Sequence, residues 1–119
     1  MNDKDYRTVS KMIEYCDNVA SFLDGLGDNF EAYRADVRTR YACDMCVMQI
    51  GELVGRISDE LKASRPSVPW AQIRAASDYL TRDYDVAEPE FVWETLRQDV
   101  PALRGVLLEI LAENELNVG

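Results

Sequence analysis

The stretch Tyr41-Ala42-Cys43-Asp44-Met45-Cys46-Val47-Met48-Gln49-Ile50-Gly51-Glu52-Leu53-Val54-Gly55-Arg56-Ile57-Ser58-Asp59-Glu60-Leu61 decides the fold. Its apolar residues Cys43, Val47, Ile50, Val54, Ile57 and Leu61 advance in steps of four and three, the stripe of an amphipathic helix. A second row, Tyr41, Met45 and Met48, widens the apolar face in the N-terminal half. A helix that is apolar on more than one side belongs at the centre of a bundle or at a subunit interface. Gly51 costs this helix about 1 kcal/mol relative to alanine, so its presence predicts a close approach by a packing neighbour. Glu52 beside it is the carboxylate to watch, whereas Asp59 and Glu60 read as a solvated face. The helix is expected to stop at Ser64-Arg65-Pro66, because proline disfavours helical geometry in the residue before it.

Working outward, Tyr6, Val9, Ile13, Cys16, Ala20 and Leu23 mark an earlier helix that Gly25 and Gly27 end. Asp28 and Glu31 have capping-box spacing and predict a restart. On the other side, Pro69 opens a helix carrying Trp70, Ile73 and Leu80, and polar Thr81–Asp85 leaves it. Pro89 opens another with Phe91, Val92, Trp93 and Leu96. Asp99 and Pro101 mark a further start or a kink, followed by Leu103, Leu107 and Ile110. Residues 115–119 lack periodicity and are expected to fray. No useful strand alternation, linker or repeat appears. The expectation is an all-α antiparallel bundle of four to five helices, one domain over residues 1–114.

Composition narrows the chemistry. The chain has 119 residues, 47% of them apolar and 29% charged, an ordinary globular balance. No apolar run approaches the roughly 20 residues of a membrane span. The polar, acidic N-terminus is unlike a targeting segment, so a cytoplasmic protein is expected. Twenty-two acidic against 13 basic residues give a net charge of -9. That field repels phosphate backbones and works against RNA binding unless cations cluster. There is no histidine, which excludes imidazole chemistry. Cys43 and Cys46 have the spacing of half a zinc site, but such a site needs four ligands and only Cys16 remains. All three thiols therefore read as reduced and structural, with no metal and no cofactor.

Five local words then occur in order: Gln49-Ile50-Gly51-Glu52-Leu53, Ser67-Val68-Pro69-Trp70-Ala71-Gln72-Ile73, Leu80-Thr81-Arg82-Asp83-Tyr84, Val92-Trp93-Glu94 and Asp99-Val100-Pro101-Ala102-Leu103. Together they resemble the HepT-like branch of the HEPN superfamily over Arg38 to Leu111. The resemblance implies a dimerising helical bundle with a polar cleft at the subunit junction. It also implies a toxin-antitoxin setting with a small nucleotidyltransferase as partner. Members are regarded as RNA-cleaving toxins whose hallmark is Arg, four to six residues, His, one residue, Tyr. In some, the partner silences the toxin by adding AMP to that tyrosine.

The chain departs from this hallmark. The family's arginine falls on Ser77, the asparagine after it on Asp78 and the histidine on Arg82, while Asp83 and Tyr84 agree. Metal-free cleavage needs a group that moves a proton near neutrality, and a guanidinium stays protonated. The resemblance therefore implies a degenerate relative that binds a nucleotidyltransferase-type partner, with Tyr84 as the possible AMP acceptor. Its first rival is an active ribonuclease in which Arg74 replaces the lost clamp and works with Arg82 and Tyr84. The second is a helical adaptor that shares only the architecture. A homodimer is expected, with the Tyr41, Met45 and Met48 row at its interface.

Overall fold

In the computed structural model, residues 1–118 are described, with side chains through 116. The N-terminal stripe forms α1 (Asp3–Leu23), which Asn2 caps by accepting the Asp5 N–H at 2.7 Å. Its buried line is Val9, Met12, Cys16, Val19 and Leu23, whereas Tyr6 and Ala20, assigned to the stripe from spacing, are exposed. The chain leaves α1 through Gly25 and Gly27, both at positive φ, where a side chain would strain the backbone.

Helix α2 (Phe30–Ala35) starts one residue later than its capping box suggested. Asn29 is the cap, accepting the Ala32 N–H at 3.0 Å, and Asp28 instead pairs with Arg97. Helix α3 (Val37–Val54) follows, with Asp36 accepting from both the backbone N–H and hydroxyl of Thr39.

The long helix expected to reach Ser64 is broken. It ends at Gly55, and α4 (Asp59–Ser64) begins anew, capped by the Ser58 hydroxyl. The apolar row runs through the break because Ile57 stays buried in the connecting turn. Asp5 fixes that turn from α1. Only 2% exposed, it accepts the Ser58 N–H at 3.0 Å and the Ser58 hydroxyl at 2.5 Å. Asp5→Ala leaves both donors short of a charged acceptor and is expected to cost about 2 kcal/mol, measured by urea unfolding.

Helix α5 (Trp70–Arg82) opens after Pro69 and gives way to a 3-10 turn, Tyr84–Val86. Helix α6 (Pro89–Glu94), a π turn (Thr95–Asp99) and α7 (Val100–Val118) then form one continuous helix. The π turn places the Val100 N–H on the Thr95 carbonyl, directly before Pro101, which has no N–H to give. Asp99-Val100-Pro101 therefore lies at a π turn within one helix and is not a new start. The helix continues through Val118, over most of the segment expected to fray; Gly119 lies outside the described residues.

Counting α6 to α7 as one, the described residues form six helices where four to five were expected, and no strand. Helix α3 packs between α1 and α5, and α7 lies against α1. Met12, Cys43, Ile50, Leu80, Leu96 and Leu107 fill the core. No described helix is long and apolar enough to cross a membrane.

Candidate functional site

The residues singled out from the sequence fall in two places. The first is the contact between α3 and α5. Ser77 is 4% exposed, and its hydroxyl donates to the Met48 carbonyl at 3.0 Å. Gly51 lies directly against it: a Cβ on Gly51 would stand 2.0 Å from the Cβ of Ser77. This is the close approach that Gly51 foretold, and the neighbour is the serine at the motif's arginine position.

One turn earlier, Arg74 donates from Nη1 to the Gly51 carbonyl at 2.8 Å and lies 3.7 Å from Asp78. Its guanidinium closes the C-terminal end of α3, a favourable place for a cation. Asp78 is exposed, and Glu52, beside Gly51, faces outward.

The second place is a polar pocket of about 160 Å³ at the other end of α5. Tyr84 and Asp85 enter it from the 3-10 turn, Arg40, Tyr41 and Asp44 from α3, and Tyr33 from α2. The Tyr41 and Tyr84 ring centroids are 6.0 Å apart, and both rings are substantially exposed. Tyr33 is buried, its ring 4.9 Å from that of Trp93 on α6, so it forms a rigid back wall. The Arg40 guanidinium is tied to α2, donating to the Arg34 carbonyl at 3.2 Å.

Electrostatics set this pocket apart. Burial pushes the Asp44 carboxyl up to about 6, and Arg40 pulls it only partly back; no hydrogen bond supports its charge. The Tyr84 hydroxyl is also held above its ordinary range, first by desolvation and then by the field of Asp44. Arg82, two residues before Tyr84, is 71% exposed and, among the described residues, pairs with its neighbour Asp83 alone, at 3.1 Å.

The structure thus separates Ser77, Arg74 and Asp78 from Tyr84. It gives Tyr84 three companions, Arg40, Asp44 and Asp85, that motif matching did not find. The signal existed: Arg40 and Asp44 are four residues apart on one helix, so they share a face.

The thiols are structural. Cys16, Cys43 and Cys46 are buried and free, and burial pushes Cys16 and Cys43 up to about 12. No group of metal-ligating side chains occurs among the described residues. Iodoacetamide at pH 8 is expected to leave all three unmodified in the folded protein, by intact mass, under conditions that fully alkylate the unfolded chain.

An all-helical protein with a polar, tyrosine-centred pocket between α2, α3 and the 3-10 turn that follows α5 is the class this geometry defines. The chain belongs to the HepT-like family, described as ribonuclease HepT-like, whose model matches residues 12–110. It is 29% identical over 76 residues to "Probable ribonuclease HepT" of Thermococcus cleftensis, covering 64% of this chain and 69% of that one. Identity is 24% over 104 residues to "Putative RNase MJ1216" of Methanocaldococcus jannaschii, covering 87% and 84%. No solved structure matches.

Proposed function

We propose that this HepT-like protein works by binding rather than by cutting RNA through the family motif, and that its partner is a small nucleotidyltransferase. One observation carries this reading. Of the motif positions, Ser77 is sealed between α3 and α5, and Arg82 is a solvated guanidinium that cannot accept a proton. Tyr84 remains reachable in its pocket, where a partner enzyme could transfer AMP to the phenol. The protein acts as a homodimer, because Tyr41 and Met45 of the second apolar row are more than half exposed.

The test is co-expression with a small nucleotidyltransferase from the same genome. Co-elution, with one or more AMP groups mapped to Tyr84 and lost in Tyr84→Phe, is the expected result. Absence of any complex at micromolar concentrations would overturn the partner assignment.

A second reading, an active ribonuclease, is favoured by Asp44, whose carboxyl burial pushes up to about 6 beside Tyr84. The version of that reading built on Arg74 loses its clamp, since Arg74 is held on the Gly51 carbonyl.

A further inference from the structure

We propose that the pocket formed by Tyr33, Tyr41, Asp44, Tyr84 and Asp85 is a guanidinium receptor, occupied in the homodimer by Arg82 of the second copy. The inference rests on the dimer reading above and adds to it a specific interlock.

The pocket asks for a cation. It holds two carboxylates, Asp44 and Asp85, against one guanidinium, Arg40, which is already committed to the Arg34 carbonyl. Asp44 has no ion pair or hydrogen bond among the described residues. Aromatic faces beside a carboxylate attract a cation within about 6 Å of a ring centroid, and Tyr41 and Tyr84 present such faces. A divalent metal lacks the ligands, since no three metal-ligating side chains gather among the described residues.

Arg82 is the cation that fits. It is 71% exposed, and its one ion pair among the described residues is to the adjacent Asp83. It lies two residues from Tyr84, so donor and receptor sit side by side on one surface. Two such neighbours exchange places when a two-fold axis passes close to them, which is how an isologous interface is built. The exposed Tyr41 and Met45 side chains of the same face supply apolar area around the pair. Each dimer then contains two Arg82–Asp44 pairs.

This makes dimerisation depend on pH with an unusual sign. Pairing with Arg82 lowers the Asp44 pKa below its value of about 6 in the free chain. The contribution is present in full above that value and is lost as pH falls through the lower, bound-state pKa. Arg40 and Asp85 are the other charged groups lining the pocket, beside the phenols of Tyr33, Tyr41 and Tyr84. Long-range repulsion between two chains of net charge -9 would act oppositely, weakening association as pH rises.

Sedimentation equilibrium of the full chain tests the proposal. With each pair worth about tenfold, Asp44→Asn and Arg82→Ala are each expected to raise the dimer Kd about 100-fold at pH 7.5, and Asp44→Asn to abolish the pH dependence. Circular dichroism checks that both variants fold. Mixing the two variants restores one of the two pairs, so a mixed dimer about tenfold tighter than either variant alone is expected. A dimer whose Kd is unchanged in both variants would overturn the interlock and leave the dimer reading standing. A native chain that stays monomeric at 100-fold above micromolar concentration would overturn both.

Discussion

Gly51→Val is expected to destabilise the protein by about 3 kcal/mol or more, with urea unfolding as the measurement. A single Cβ at this position would stand 2.0 Å from the Cβ of Ser77 and 2.3 Å from its hydroxyl oxygen. The hydroxyl can rotate, but the Cβ is fixed to the α5 backbone, so relief comes only by moving α3 and α5 apart. Those helices share a large part of the core, including Ile50, Ile73 and Leu80. Overpacking typically costs about 1–3 kcal/mol, and a β-branched residue against a rigid Cβ lies at the upper end. Separating the helices also breaks the Ser77–Met48 and Arg74–Gly51 hydrogen bonds. A loss below about 1 kcal/mol would show that the helices slide apart at little cost.

The second large effect concerns the motif itself. Ser77→Arg, which restores the family's arginine, is expected to cost on the order of 4 kcal/mol in this chain. Ser77 is buried, its Cβ abuts Gly51, and its hydroxyl is satisfied by a backbone carbonyl. A guanidinium entering there displaces the helix contact and loses solvation, and it meets the Arg74 cation with no carboxylate in the contact to pair with. Arg82→His, by contrast, changes a side chain outside the chain's own core and is expected to shift the stability of the monomer, measured below the dimer Kd, by less than about 0.5 kcal/mol. The two substitutions therefore separate cleanly in a thermal melt. Comparable small losses for both would mean that the α3–α5 contact still accommodates the family residue.

Fold class was legible because burial in a helical bundle imposes a period that the sequence must carry. Val47, Ile50 and Val54 announce α3, and Gly25, Gly27 and Pro89 mark boundaries that the structure keeps. The break at Gly55 was not legible, since Ile57 and Leu61 continue the row across it. What sets it is Asp5, 53 residues away, holding Ser58 in a new cap. Likewise, the Asp28–Glu31 spacing gave a sound capping signal that Asn29 satisfies more directly.

The candidate site was legible in its losses more than in its contents. Missing imidazole can be read from any sequence, and the HepT-like words placed Tyr84. The charge state of Asp44 could not be read, because it depends on Tyr33, Tyr41 and the 3-10 turn closing over one carboxylate. Gly51 announced a close neighbour, but that the neighbour is Ser77, at a motif position, emerges only when α3 and α5 are packed.

The central claim is that this HepT-like chain does not cut RNA through its motif, and single-stranded RNA incubated with native protein tests it most directly. The assay runs at pH 7.5, low salt and excess chelator, with Tyr84→Phe and Arg82→Ala beside the native chain. The account predicts no cleavage above the rate without protein in any of the three. Robust cleavage by the native protein that disappears in Arg82→Ala or Tyr84→Phe would contradict it.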